Sequence, residues 1–346
     1  MPAEKVMVGM SGGVDSSVCA ALLLKAGFET AGVTLGLCGD GGFKDAAAVC
    51  GRLGIPHYTL DLRESFRQRV MADFADEYIR GRTPNPCIVC NRLMKFGEML
   101  AFAESLGFDK IATGHYAAVK RAENGRLLLV KAADRAKDQT YVLYSMTQKQ
   151  LARAVFPLGG MTKEEVRRTA LENGFENASK PDSQDICFVP DGDYAAFIEK
   201  FTGTAAEPGD FTDKSGGRLG AHRGIIRYTV GQRKGLGIAL GKPVFVIRKD
   251  ALNNRVVLGG EEELFYRRVL VKEPNFIPFD NLAGEMRVTA KLRYRHPEQP
   301  ARIYPFEDGV AVEFEKPQRA PSPGQAAVFY DGDTVVGGGT IEKGID

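Results

Sequence analysis

From Val6 to about Ile198, short β-type apolar runs alternate with stretches whose apolar positions recur at helical spacing. That alternation predicts a parallel sheet with helices on both faces. Val6 to Met10 reads as a first strand, Val14 to Lys25 as a helix stopped at Gly27, and Thr30 to Leu37 as a second strand. Asp45 reads as the cap of a short helix ending at Gly54, His57 to Asp61 as a third strand, and Lys110 to Gly114 as a later one. Thr162 and Glu165 have the spacing of a capping box, opening a helix that Asn173 and Gly174 close, and Tyr194 to Phe201 continues the helical pattern. The expected fold class is α/β, with a doubly wound parallel sheet.

The pattern then changes. Gly203 to Gly220 is rich in Gly, Thr, Asp and Ser, as a linker or a loosely held excursion would be. From about Val269 onward, short alternating runs (Met286 to Tyr294, Ala301 to Pro305, Val310 to Phe314, Ala326 to Tyr330, Thr334 to Gly338) are separated by Gly, Pro and Asp turns. Such spacing predicts a small β-barrel. Three regions follow: an α/β domain over 1–201, a small central domain over 202–268 and a C-terminal barrel over 269–346.

A chain of 346 residues with 44% apolar residues can bury more than one core. Its formal net charge is only +2, so any nucleic-acid surface has to be local. One stretch qualifies: Arg218 to Lys249 holds eight Lys or Arg and no Asp or Glu. The first residues hold a glycine-rich turn where a signal peptide would carry its apolar core, and no long apolar run occurs. A cytoplasmic protein without a membrane partner is expected. Its six cysteines are too few for a disulfide scaffold in a chain this long, so they serve packing or chemistry.

The glycine-rich segment Gly9, Met10, Ser11, Gly12, Gly13, Val14, Asp15, Ser16 lies between the first strand and the first helix. At that place backbone N–H groups and the positive helix end can hold an anion. Gly9, Ser11 and Gly13 also satisfy the G-x-S-x-G pattern of a hydrolase elbow, but Asp15 and Ser16 have no role in an elbow. A Walker loop and G-x-G-x-x-G are both absent. Among the cysteines, Cys19 and Cys50 sit in apolar helical stretches and read as core, and Cys38 in a Gly-rich loop is ambiguous. Cys87 and Cys90, in Thr83 to Asn91, and Cys187, in Asp182 to Phe188, occupy polar or proline-flanked segments that suit groups presented to a ligand. A second close-spaced Cys/His pair, which a zinc site needs, is missing.

The string Ser-Gly-Gly-Val-Asp-Ser resembles the pyrophosphate-binding loop of the ATP pyrophosphatases (PP-loop enzymes). This loop, Thr83 to Asn91, Gly114-His115-Tyr116, Lys137 to Tyr141, Asp182 to Phe188 and Tyr228 to Arg233 together resemble, in order, the tRNA-specific 2-thiouridylase family. The resemblance implies a PP-loop α/β domain, a small central domain and a β-barrel. It implies ATP held by Gly9 to Ser16, by Leu35 beside the adenine and by the backbone at Gly114, with Mg²⁺ near Asp15. It places Asn85, Pro86 and Cys87 at the target base, and Lys137, Asp138, Gln139, Arg293 and Tyr294 on tRNA. Cys187 resembles the cysteine that carries sulfur as a persulfide, and Cys90 the one that assists its release, leaving a Cys90–Cys187 disulfide for reduction. The implied reaction is ATP-dependent thiolation of C2 of the wobble uridine, position 34, in tRNAs for Lys, Glu and Gln. Sulfur would come from a sulfur-relay protein or a cysteine desulfurase. Cys87 departs from the family pattern, where Asp is common. It makes a second arrangement conceivable, in which Cys87, Cys90 and Cys187 hold a [4Fe–4S] cluster. A PP-loop synthetase acting on a small molecule would need the loop but not the cysteines or the basic stretch. A non-catalytic RNA-binding protein would leave the loop idle.

Overall fold

The computed structural model describes residues 3–39, 42–180 and 185–345; Asp182, Ser183 and Gln184 of the motif around Cys187 lie outside the described residues. Strand β1 (Lys5–Gly9) turns through the glycine-rich loop into helix α1 (Val14–Lys25), followed by β2 (Glu29–Gly36), helix α2 (Phe43–Leu53) and β3 (His57–Asp61). Strand β4 (Lys110–Ala112), the hairpin β5 (Ala117–Arg121) and β6 (Leu127–Lys131), and the short β7 (Ala154–Val155) come next. The parallel sheet has the order β3-β2-β1-β4-β7. Alternate residues of β1 serve opposite faces: Val6 and Val8 enter the core beneath α1 and α2, whereas Met7 enters the core built on Phe96, Met99 and Leu100. This two-sided burial is what a parallel sheet requires. Cys19 and Cys50 are fully buried under it, as their apolar surroundings predict.

Local chemistry accounts for most element ends. Helix α1 runs over the span its pattern predicts. Helix α2, however, is capped by Gly42 in a left-handed conformation; Asp45 sits in its first turn and pairs with Lys180. The helix Lys163–Glu172 opens with the predicted capping box, in which Thr162 accepts from the Glu165 amide and Glu165 reaches back to the Thr162 amide at 2.7 Å. Thr162→Ala is therefore expected to lower unfolding stability by about 1 kcal/mol, measured as a reduced midpoint in urea.

The Gly203 to Gly220 segment is not a linker. It contains an antiparallel hairpin, β8 (Gly209–Thr212) and β9 (Arg218–His222). Asp213 closes its turn by accepting from the Gly217 amide at 2.8 Å and the Ser215 hydroxyl at 2.6 Å. Turn residues and linker residues are the same types, which is why composition misled here. With β10 (Phe245–Asp250) and β11 (Arg255–Gly259) the hairpin makes a sheet of order β10-β11-β8-β9. The helix Tyr194–Thr202 contributes Ala195 and Ile198 to the core of this central sheet, beside Phe211, Tyr228 and Val246.

The last six strands are β12 (Phe265–Phe276), β13 (Met286–Lys291), β14 (Gln299–Phe306), β15 (Gly309–Arg319), β16 (Ala326–Asp331) and β17 (Thr334–Ile345). They run in the order β12-β15-β14-β13-β16-β17, and pairing of β12 with β17 closes the barrel. Strand β16 is buried on both faces: Ala327 and Phe329 fill the barrel, and Ala326, Val328 and Tyr330 join the core of the α/β domain. The barrel is thus packed against the first domain. A polar tie holds the segment before Pro86. Arg82 pairs with Glu77 and with Glu342 of β17, both at 2.7 Å, and the Thr83 amide donates to the Pro323 carbonyl at 2.7 Å.

Candidate functional site

A cavity of about 1410 Å³ opens at the C-terminal ends of β1, β2 and β4, the position where open α/β sheets bind ligands. Its floor is the glycine-rich loop. Ser11 Oγ lies 3.2 Å from Ser16 Oγ, Ser16 and Ser17 hydroxyls both donate to the Gly13 carbonyl at 3.0 Å, and Asn177 Nδ2 donates to the Gly12 carbonyl at 2.9 Å. Internal bonds thus set the loop shape. Gly12 adopts φ +74°, and a Cβ there would meet the Gly42 carbonyl at 2.7 Å, so this residue has to be glycine. Gly114 is confined differently: a Cβ would stand 2.8 Å from the Asp15 carbonyl carbon and 2.9 Å from the Ser16 nitrogen. It would cap the N-terminal amides of α1. The bare backbone leaves those amides open to an anion.

Asp15 is held from two sides. Lys163 Nζ donates to its two oxygens at 2.8 and 2.9 Å, and the Tyr116 hydroxyl donates to Oδ1 at 3.0 Å. Leu35, Gly9, Met10, Ser11, Gly13, Val14, Ser16 and Gly114 all line the cavity, and Gly12 is not among its lining residues.

The cavity rim comes from two domains. Lys137, Asp138 and Gln139 belong to the α/β domain, and Arg293 and Tyr294, with Lys291 and Arg295, to the barrel. Tyr294 Oη donates to the Asp138 carbonyl at 3.3 Å, joining the two segments. Several side chains are already engaged. Asp138 accepts from the Ala132 amide at 3.0 Å and the Thr140 hydroxyl at 2.6 Å, and Gln139 accepts from the Tyr116 amide at 2.9 Å. Arg293 donates to the Ala320 carbonyl at 2.9 Å and to Ser322 Oγ at 3.0 Å. The rim is therefore stiff, with Lys137, Lys291 and Arg295 adding positive charge.

Cys87 and Cys90 are not on a loop. Asn85 caps a helix whose first turn is Pro86–Cys90, its Oδ1 accepting from the Cys87 amide at 3.1 Å. Asn at N-cap with Pro at N1 is a helix start, a signal present in the sequence but read there only as a proline-flanked segment that presents the thiols. The helix continues through a π-type stretch, Asn91–Glu98, which sets Lys95 two turns beyond Cys87. Lys95 lines the cavity, and its positive charge acts on Cys87, Cys90 and Cys187 together. Lys95 was missed from sequence because its spacing from Cys87 counts only once the helix is known. Its Nζ stands 3.5 Å from His115 Nε2, and His115 Nδ1 is 2.7 Å from Thr113 Oγ1. Burial, with Lys95 adding to it, keeps His115 well below the usual imidazole range and hence neutral.

The thiols differ. Burial pushes Cys90 up to about 11, against the pull of Lys95. Cys38 and Cys187 meet: the Cys38 thiol donates to the Cys187 carbonyl oxygen at 3.7 Å. The neighbouring Cys187 lowers Cys38 to about 7, while Cys38 and burial raise Cys187. All six cysteines are free thiols, so the Cys90–Cys187 disulfide of the persulfide route is not formed in this structure. The second arrangement, a [4Fe–4S] cluster on Cys87, Cys90 and Cys187, is not supported. Among the described residues no group of three or more His, Cys, Asp or Glu could hold a metal ion. Cys90 is half-buried on its helix, Cys87 and Cys187 are exposed, and the Cys187 carbonyl accepts from Cys38.

Known proteins agree with this architecture. Residues 4–191 match the family model described as the tRNA methyl transferase HUP domain, 195–260 its PRC-barrel domain, and 266–341 the aminomethyltransferase beta-barrel domain. The tRNA-specific 2-thiouridylase MnmA of Acetivibrio thermocellus is 54% identical over 359 residues, spanning 99% of this chain and 100% of its own length. The chain belongs to the tRNA-specific 2-thiouridylase family. The corresponding protein of Clostridium acetobutylicum is 49% identical, covering 98% of this chain and 99% of its own. One named MnmA 1, from a Thermoanaerobacter species, is 51% identical with 98% of each chain covered. For a member of the 2-thiouridylase family, the cavity unites the PP-loop, Cys187 and a basic two-domain rim. Among the described residues no helix is long and apolar enough to cross a membrane.

Proposed function

We propose that this protein is a tRNA-uridine 2-sulfurtransferase that adenylates C2–O of the wobble uridine with ATP and replaces that oxygen with sulfur carried on Cys187. The observation that supports this most is one cavity lined by both the PP-loop and Cys187. The N-terminal amides of α1 receive the phosphates, and Leu35 packs beside the adenine. Lys163 and Tyr116 hold Asp15, whose remaining lone pairs suit a single bond to Mg²⁺, the ion that draws charge from phosphate oxygens. The uridine O2 attacks the α-phosphorus and pyrophosphate leaves, so that O2 now departs as AMP. A sulfur nucleophile then adds to C2, and AMP is expelled to give 2-thiouridine. Cys187 receives its sulfur from a persulfide-bearing donor, a relay protein or a desulfurase, and a second thiol frees it. The family resemblance points to Cys90 for that role. Lys95 stabilises the anionic sulfur species, because its charge reaches each of these thiols.

The target base, a uridine at position 34 of tRNAs for Lys, Glu and Gln, would enter past Asn85, Pro86 and Cys87. Asn85 serves this by fixing the helix start that orients Cys87. Incubation with ATP and unmodified tRNA tests the reading: pyrophosphate release should depend on tRNA, and 2-thiouridine should appear once a persulfide donor is added. Release without tRNA would favour a small-molecule synthetase, and binding without release an RNA-binding protein.

The basic central stretch divides into two kinds of residue. Arg223, Arg233 and Lys234 are exposed, whereas Arg227 is half-buried and paired with Glu199 at 2.7 Å. Arg233→Ala is expected to flatten the log–log salt dependence of tRNA affinity by about 0.7 to 0.9, measured by filter binding. Arg227→Ala should leave that slope unchanged and reduce stability instead.

A further inference from the structure

The segment that leaves the helix Lys163–Glu172 returns to the glycine-rich loop and meets it at two points. Asn177, in the turn Glu176–Ser179, is buried, and its Nδ2 donates to the Gly12 carbonyl at 2.9 Å and to Ser17 Oγ at 3.0 Å. Three residues on, Lys180 lines the cavity, and its ammonium pairs with Asp45. Asp45 belongs to the first turn of α2, with its Cβ 3.2 Å from where a Gly12 Cβ would stand. The ion pair therefore sits beside the loop, at a place set by Asn177 and α2. Both side chains remain open to solvent, 53% for Lys180 and 43% for Asp45, so the pair adds little to stability and breaks readily. Two other cations of this region are committed elsewhere. Lys163 is 10% exposed and holds both Asp15 oxygens, and Arg135 pairs with Asp333 at 2.6 Å.

We propose that Lys180 is a phosphate ligand held in reserve by Asp45, exchanging that carboxylate for the β- and γ-phosphate oxygens of ATP and returning to it as pyrophosphate leaves. This rests on the reading of the loop as the ATP site. The α1 amides offer only partial charges, and Lys163 is spent on Asp15, so a full positive charge from another segment supplies what the loop itself lacks. Lys180 brings that charge on a long flexible stem. Asp45 acts as the competitor: the fraction of Lys180 free of the carboxylate sets the apparent affinity for the phosphates. An exposed pair takes little from ATP binding, yet it draws Lys180 back once the α–β bond has broken and so hastens loss of pyrophosphate.

The test measures tRNA-dependent transfer of the ATP α-phosphate to tRNA, without sulfur donor, at varied ATP and at fixed levels of inorganic pyrophosphate with Mg²⁺. Lys180→Gln is expected to raise the ATP KM and the pyrophosphate inhibition constant together by about tenfold, the scale of one charge-assisted hydrogen bond. Lys180→Arg should stay close to wild type. Asp45→Asn is expected to move both constants the other way, because Lys180 loses its competitor. Thermal melts of all three variants should match wild type, since the pair is exposed. A pair that only braces the loop would shift the constants in the same direction in Lys180→Gln and Asp45→Asn; that outcome, or unchanged constants in Lys180→Gln, overturns the proposal. Wild-type protein that places no label on tRNA would instead remove the adenylation reading of the loop, and this proposal with it.

Discussion

Cys187→Ser is expected to reduce 2-thiouridine in digested tRNA to background while tRNA-dependent pyrophosphate release persists. In the proposed reaction, adenylation would rely on the α1 amides and the bonded Ser11 and Ser16, none of which touches Cys187. Sulfur transfer needs an atom that can hold a second sulfur and later give it up, and a serine hydroxyl cannot do so. The substitution changes one exposed atom, so folding is not at stake. Loss of pyrophosphate release together with thiolation would mean that Cys187 shapes the nucleotide site rather than carrying sulfur. Full thiolation by the variant would remove Cys187 from the chemistry altogether.

Gly114→Ala is expected to lower ATP-dependent pyrophosphate release about 100-fold, the scale on which misplacement of reacting groups by about 1 Å acts. The added methyl would stand 2.8 to 2.9 Å from the Asp15 and Ser16 backbone, closer than real Cβ contacts fall. Either the β4 end moves away or α1 does, and in both cases the amides are covered or displaced. Affinity for tRNA should hold, because the basic groups of the central sheet and barrel are not in contact with Gly114. Filter binding and pyrophosphate release, measured on the same preparation, separate the two. Equal loss of both would show that Gly114 supports the fold as a whole, which a thermal melt would register.

Much of the site was legible because anion binding by a strand–loop–helix is a local device. Glycines, Ser11, Asp15 and the onset of an apolar helix are contiguous, so their geometry follows from their order. Cys87 and Cys90 were legible as a pair, but their setting was not, since Asn85-Pro86 can open a helix or stiffen a loop. Lys95 and Cys38 were out of reach for another reason. Each meets a residue distant in the chain: Cys38 the Cys187 carbonyl, and Lys95 His115.

The alternation of strand and helix periods, by itself, determined an α/β domain followed by a barrel, because period 2 and period 3.6 are set by backbone geometry within a few residues. It also determined the PP-loop, the core position of Cys19 and Cys50 and the Thr162 capping box. Only the tertiary structure decided that Gly203 to Gly220 pairs as a hairpin and that β16 is buried on both faces. It alone decided that Lys163 holds Asp15, that Arg227 faces Glu199 rather than solvent, and that Cys187 lies against Cys38. These are contacts between distant segments. Their selection depends on which surfaces meet when the cores close, and no local period carries that information.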